Sequence, residues 1–418
     1  LRLLFLMVAV VLLGTAVYQI VSHPEWIRYV DIPPVKSRGM IAALKGSDSG
    51  GTHVVILTRE GVVRELPATE ATDHDVLWDP QGKRILFLSN RTRDGSFQVF
   101  EWKPDRNNEP VQITPDGASR SRLWISANGK FLLVTTRGEV FQIEYPRRFF
   151  RRVFPPSNQP DPFAGAEQEL RALHTHTTAE DLILERWRQL QEAIEGEAFT
   201  EGFVDASGTY FAGVYKIALG YAVVLHHLQT TEVPPLAPWG GKNIEITYHP
   251  QRPEIIVALQ DFQFPHRAQV PRELIQPDGS VKRPFVHALL WGSLPDILAG
   301  NSVGSAIFAS QSGEEAWTQP IFAPDGERFA VIHLKKQKDK WVREGLYVVN
   351  LSPQGVTSVV QVAEGEVYDP AWSPDSQRLA FVRNGDVFVV ERTGGGEENL
   401  TKGSGSFHSP VFSPQGWP

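Results

Sequence analysis

The chain contains no cysteine. That absence excludes disulfides, thiolate metal sites and a cysteine nucleophile. It leaves the compartment open, because exported proteins without disulfides are common. A basic excess is also missing: 41 Lys and Arg stand against 48 Asp and Glu, a net charge of −7. Nucleic-acid binders gather positive charge on one face, so nucleic acid is not an expected partner. No low-complexity tract is present, although Gly (35) and Pro (31) are frequent. Spread along the chain, they predict many tight turns. Hydrophobic residues make up 41% and charged residues 21%, which suits a packed core. A length of 418 residues fits two or three ordinary domains or one large repeat domain.

The first apolar run belongs to a membrane in this reading. Leu3 to Val21 carries no charge, and Thr15 and Gln19 are its polar interruptions. Nineteen residues in a helix span roughly 28 Å, close to the hydrocarbon core of a bilayer. Residues 1–22 are therefore expected as a transmembrane anchor, with residues 23–38 as a linker. Leu3, Leu4, Phe5, Leu6, Val8, Val10, Val11, Leu12 and Leu13 form its apolar body. A cleaved signal peptide is the rival: Arg2 gives a positive start, and Gly14 and Ala16 are small residues ahead of a cleavage point. Arg28, Lys36 and Arg38 beyond the run lean toward a cytoplasmic large domain.

The rest of the chain repeats itself. Trp372-Ser373-Pro374-Asp375-Ser376 precedes Arg378-Leu379-Ala380-Phe381-Val382, and Phe322-Ala323-Pro324-Asp325-Gly326 precedes Arg328-Phe329-Ala330-Val331-Ile332. Trp78-Asp79-Pro80-Gln81-Gly82, Trp124-Ile125-Ser126, Phe203-Val204-Asp205, Tyr248-His249-Pro250 and Phe412-Ser413-Pro414 open further copies. Each reads as strand, tight turn and strand: Pro presets φ, Asp bonds the local backbone, and Gly takes the positive φ. A second hairpin occurs in several copies, through Asn384-Gly385, Arg137-Gly138 and Asp94-Gly95. A sheet of three or four such strands buries both faces only when sheets pack around a ring.

The aromatic anchors are separated by 46, 79, 45, 74, 50 and 40 residues. The short intervals match a four-stranded blade of ~40–45 residues. The two long ones call for insertions, at about 146–198 and 264–317, or for a hidden extra blade. The final unit breaks off after its turn, and the missing strands stand near the start, at Gly39–Leu44, His53–Leu57 and Val62–Leu66. The expected fold is thus all-β: a seven-bladed β-propeller over 39–418, closed by a blade from both ends, with six or eight blades left open. The first insertion is expected to be partly helical. Thr177, Thr178, Glu180 and Asp181 form a capping pattern, and Ile183, Trp187, Leu190 and Ile194 share a face.

The aromatic-Ser-Pro-Asp-Gly turn and its adjoining strand resemble the WD-repeat-like units of TolB-type propellers. Pro370 to Asp375, with Asn399-Leu400-Thr401 downstream, carries that resemblance best. It implies a periplasmic propeller that binds partner proteins, and similar repeats stand beside serine-peptidase domains. It assigns no binding residue, because the matched positions are structural.

Reactive constellations are weak. Gly300-Asn301-Ser302-Val303-Gly304 has the form of a nucleophile elbow, but the residues C-terminal to it read as propeller. His174 with His176, and His226 with His227, lack an obvious third ligand. No catalytic residue, cofactor or metal is expected. Arg147-Arg148-Phe149-Phe150-Arg151-Arg152 is the most unusual segment; four guanidinium groups around two rings suit an anionic headgroup or an acidic partner. Trp187 is a second candidate contact, for a partner helix. The expected role is a non-catalytic, single-pass membrane-anchored scaffold or accessory subunit of a larger membrane complex, of photosynthetic or respiratory type. A periplasmic enzyme, a small-ligand binder using the propeller channel or a Tol-system-like envelope protein is the alternative.

Overall fold

A computed structural model describes residues 38–418 apart from 49, 105–108, 116–117, 126–130, 137–138, 145–148, 155–200, 206–208, 218–219, 228–235, 265–273 and 299–303. The anchor, the linker up to residue 37, and the helical pattern with Trp187 lie outside the described residues. Among the described residues no helix is long and apolar enough to cross a membrane.

Strands β1 (Ile41–Gly46), β2 (Thr52–Thr58) and β3 (Gly61–Glu65) come first. The second sheet holds β4 (Asp73–Trp78), β5 (Ile85–Ser89), β6 (Gln98–Trp102) and β7 (Val111–Gln112). The third holds β8 (Arg122–Ile125), β9 (Phe131–Thr136), β10 (Glu139–Glu144) and β11 (Phe149–Phe154). The fourth holds β12 (Glu201–Val204), β13 (Tyr210–Ile217), β14 (Gly220–His227) and β15 (Leu236–Gly241). In the fifth are β16 (Asn243–Tyr248), β17 (Glu254–Gln260), β18 (His287–Ser293) and β19 (Ser305–Ser310), with the short helix α1 (Leu294–Leu298) between the last two. The sixth has β20 (Glu315–Phe322), β21 (Arg328–Gln337), β22 (Lys340–Ser352) and β23 (Gly355–Glu364). The seventh has β24 (Val367–Trp372), β25 (Arg378–Arg383), β26 (Asp386–Glu391) and β27 (Glu398–Asn399), and β28 (Phe407–Phe412) is the last strand.

These strands make seven four-stranded sheets. Six run in sequence order, and the remaining one runs β28-β1-β2-β3, joining the two ends of the propeller. The first strands touch in turn: β28 with β4, β4 with β8, β8 with β12, β12 with β16, β16 with β20, β20 with β24, and β24 with β28. That circuit is closed, so the chain is a seven-bladed β-propeller.

Residues 264–317, read as an insertion, contain β18, β19 and the start of β20, so they hold the two outer strands of the fifth blade and no extra blade. The long interval there comes from the β17–β18 connection, where Phe262 packs against Phe264 and Phe285 with ring centroids 4.8 Å apart in both pairs. In the region 146–198, residues 149–154 form the outer strand of the third blade, and 155–198 lie outside the described residues.

All the aromatic anchors sit in first strands. Trp78, Phe322, Trp372 and Phe412 are buried between sheets. Two Trp residues also donate across the seam, Trp78 Nε1 to the Val411 carbonyl at 3.2 Å and Trp372 Nε1 to the Ile321 carbonyl at 3.0 Å. After five of the anchors the tight turn closes with one recurring bond. The N–H of Asp79, Asp205, His249, Ala323 and Ser373 donates to the carbonyl of Arg84, Tyr210, Glu254, Arg328 and Arg378, at 2.9, 3.1, 2.9, 2.9 and 2.9 Å. In the composite blade two separate segments make this turn. Ser413 N donates to the Met40 carbonyl at 2.9 Å, and Gly39 N to the Gly416 carbonyl at 2.8 Å. The Asn384-Gly385 hairpin has positive φ at both residues, 53° and 80°, as a primed turn requires.

The core lies between sheets. One cluster joins Ala42, Val54 and Ile56 to Trp78, Ile85 and Phe87; another joins Leu346 and Val348 to Leu379 and Phe381. Each large side chain so buried stabilises by about 1.5–3 kcal/mol.

The Asn399-Leu400-Thr401 segment has a structural task. Thr401 Oγ1 accepts from Val387 N at 3.0 Å and donates to Asp386 Oδ1 at 2.6 Å. Thr114 repeats it, accepting from Val99 N at 2.9 Å and donating to Gln98 Oε1 at 2.7 Å. Burial raises the Asp386 pKa, yet hydrogen bonds from Thr401, Asn399 and Gly403 win and hold it below the usual carboxylate value. Thr401→Val removes both bonds and strands the buried Val387 N–H. A loss of about 1–3 kcal/mol is expected, checked by urea unfolding; an unchanged midpoint would contradict this role.

Candidate functional site

The first strands bring polar residues to the centre of the ring. Asp75, Gln319, Asp369 and Ser409 each stand three positions before an anchor, Trp78, Phe322, Trp372 and Phe412. All four adopt positive φ, 52°, 51°, 51° and 49°, where side chains other than Gly are uncommon. The pairing register shifts around each of them. A bulge of this kind bends a strand and re-aims its side chain.

The bulged residues tie neighbouring blades together. Glu245 of β16 accepts from Thr318 Oγ1 at 2.7 and 2.8 Å and from the Gln319 N–H. Gln319 Oε1 accepts from Asp369 N at 2.9 Å, while its Nε2 donates to Asp369 Oδ1 at 3.2 Å. Asp369 Oδ2 accepts from Ser409 N at 2.9 Å. On the other side, Asp75 accepts from Leu123 N at 3.1 Å and from Arg122 Nη1 at 3.3 Å. Side chains here do between blades what the backbone ladder does within them.

Beside this belt lies a cavity of about 520 Å³, walled by the first strands of blades three to seven. Trp124, Phe203, Tyr248 and Phe322 give it aromatic walls, with Gln319 and Asp369 as its polar side. The anchors Trp124, Phe203 and Tyr248 are half-buried, unlike those of the composite, second, sixth and seventh blades. The Tyr248 hydroxyl is shielded from solvent and has no hydrogen-bond partner. Burial, with the Asp205 charge added, raises its pKa, so the phenol stays protonated.

At the same end, buried His249 locks two turns. Its Nδ1 accepts from Gln251 N at 3.0 Å and Arg252 N at 2.9 Å. Its Nε2 lies 3.0 Å from both the Gly326 carbonyl of the next blade and the donating Arg252 Nε. A Cβ at position 326 would come within 2.4 Å of the ring, so glycine is needed there.

The sequence candidates fare differently. Phe149, Phe150, Arg151 and Arg152 form the backbone of β11, with Glu144↔Phe149 and Gln142↔Arg151 among its pairs. Arg147, Arg148, Ser302, His174 and His176 lie outside the described residues. His226 and His227 are in β14, opposite Phe211 and Tyr210. Around the elbow-like motif, helix α1 comes first and strand β19 second, the reverse of strand–turn–helix. Among the described residues no three His, Asp or Glu side chains gather as metal ligands would. Sequence reading missed Glu245, Gln319 and Asp369. The signal for Gln319 and Asp369 was a polar residue recurring three positions before an aromatic anchor.

Comparison with known proteins agrees with the fold. The family model for the dipeptidyl peptidase IV N-terminal region matches residues 323–411. The uncharacterized peptidase YuxL of Bacillus subtilis (strain 168) is 30% identical over 106 residues, 24% of this chain and 16% of that protein. This chain therefore matches a small part of that relative. Oligogalacturonate lyase from Vibrio parahaemolyticus overlays with a TM-score of 0.53 at 12% identity, over 90% of this chain and 91% of that one. TolB from Acinetobacter baumannii aligns over 96% of this chain and 71% of that one at 12% identity, with a TM-score of 0.45.

Protonating His249 would place a proton where Nδ1 receives two N–H groups. Burial first, then the Arg252 guanidinium, holds its pKa below the usual imidazole value, against the opposing Glu254 and Asp325. A depressed folded-state pKa means stability that is complete above the unfolded value of about 6.5 and is lost as pH falls through the folded one. Thermal unfolding across pH 7 to pH 5 is expected to show this decline, and His249→Asn, which keeps an acceptor, to flatten it. Parallel profiles would overturn the assignment.

Proposed function

We infer that this chain is a non-catalytic binding propeller, held at a membrane by its apolar N-terminal segment and serving as an accessory or scaffold subunit of a larger membrane complex. The observation that carries this reading is the aromatic-walled cavity of about 520 Å³ at the ring's centre. Cavities of this size with a few polar groups are where ligands and partner side chains bind. Binding rather than turnover is supported by how the central carboxylates are used. Glu245 and Asp369 accept hydrogen bonds from the next blade's backbone, which gives both a structural task. The membrane side of the propeller follows the TolB resemblance and is taken as periplasmic.

An enzymatic role is the second reading. The match to a peptidase's N-terminal region and the overlap with a lyase fold favour it.

Purification of the full chain in mild detergent is expected to retain a partner in fixed stoichiometry. Trp124→Ala is expected to weaken that retention about thirtyfold, as for a central aromatic contact. Recovery of the full chain alone would defeat the scaffold reading. For the second reading, a broad hydrolase screen is expected to show no activity that Ser302→Ala removes; activity lost in that variant would favour the enzyme. Protease treatment of intact spheroplasts is expected to degrade the propeller, and complete protection would place it on the cytoplasmic side.

A further inference from the structure

We propose that the central cavity receives a cationic side chain, arginine or lysine, carried by a protein partner. This rests on the reading of the cavity as a binding site and names what enters it.

One carboxylate lines the cavity and a second is linked to it, and among the described residues neither has a counter-charge. The first is Asp369, and Glu245 is joined to Asp369 through Gln319. Every hydrogen bond they receive comes from a neutral donor: the Thr318 hydroxyl, the Asn243 and Gln319 side-chain amides, and the N–H groups of Gln319 and Ser409. Among the described residues neither makes an ion pair with Lys or Arg. Asp75, at the same strand position as Asp369, differs in being paired with Arg122 at 3.3 Å.

Room for a cation remains on Asp369, whereas Glu245 already receives bonds from Thr318 Oγ1 on both oxygens, from the Asn243 amide and from the Gln319 N–H. A carboxylate offers about four lone-pair sites. Asp369 receives one bond on each oxygen, from Gln319 Nε2 and from Ser409 N. The walls add a second attraction. Trp124, Phe203, Tyr248 and Phe322 line the cavity, and an aromatic face draws a cation electrostatically, more strongly where water is excluded. A metal ion is a poorer fit, since the cavity is mostly aromatic and aliphatic and metals seek several oxygen or nitrogen ligands.

A partner's side chain fits better than a free small cation. The walls continue to Pro250, in the turn after Tyr248, and the cavity is open rather than closed over a ligand. A long side chain on a docked surface can reach Asp369 from there while its backbone stays outside.

The test uses the full chain in mild detergent with three probes, monitored by tryptophan fluorescence and calorimetry. They are N-acetyl-arginine methylamide, its neutral isostere N-acetyl-citrulline methylamide, and tetramethylammonium. The arginine probe is expected to bind at least about tenfold tighter than the citrulline probe. Asp369→Asn and Glu245→Gln each keep an acceptor for the neighbouring N–H; the first is expected to erase that preference, and the second, off the cavity wall, to reduce it. Equal affinity for arginine and citrulline, or a preference surviving in Asp369→Asn, would overturn the proposal. Tighter binding of tetramethylammonium than of arginine would assign the site to a small cation and overturn the partner's part. If either variant unfolds, the arginine–citrulline comparison on the unaltered chain decides alone. A co-purifying partner that the arginine probe does not displace would remove this inference while leaving the scaffold reading intact.

Discussion

Among the described residues, the inner strands of the sheets are apolar on both faces, and that constraint governs the rest. Strand β5 is buried along its whole length, and β2 and β17 are buried except at their ends. A lone sheet of this kind would leave one face in water. Neighbours on both sides remove the problem only if the series has no first or last member. Closure therefore falls to the β28–β1 pairing, where Ile41 meets Phe412 and Lys45 meets Phe407. The seam beside it is filled by Phe407, Phe412 and Trp417 from one end of the propeller and by Ile41, Val55 and Leu57 from the other.

Closing a ring forces its first strands to converge, and convergence creates the chemistry at the centre. Backbone groups freed by bulges at Asp75, Gln319, Asp369 and Ser409 need acceptors. Side chains of adjacent blades supply them for Gln319, Asp369 and Ser409. The belt that results is acidic by construction, because carboxylates are the strongest acceptors for N–H groups. An attraction for positive charge is then a by-product of holding the blades in register. Where the anchors are only half-buried, at Trp124, Phe203 and Tyr248, their rings are left to line a cavity instead of filling a seam.

Much of the architecture was legible in the residues. The aromatic-turn-strand units repeat because each blade solves the same packing problem, so Trp78 and Trp372 mark equivalent places. The split blade could be read from strands left over at both ends. What stayed hidden depends on register and on neighbours. Gln319 takes a positive φ without being Gly or Asn, and nothing local announces it. The Lys338-Asp339 turn, with φ of 48° and 64°, lacks the glycine that marked Asn384-Gly385. Residues 264–317 resisted parsing because β18 and β19 are joined through a helix, with no Pro-Asp-Gly turn between them. The central site is assembled from five blades, so no contiguous segment could carry its signature.

The split turn has a mechanical consequence. The segment before residue 39 enters the ring at Gly39 and Met40, directly into β1. Strand β1 is held on both edges, by β2 over Ile41–Gly46 and by β28. A pull directed along β1 loads both ladders in shear, so their hydrogen bonds resist together instead of opening one at a time. A propeller attached at this strand can bear tension at the very place where its circle is not covalently continuous.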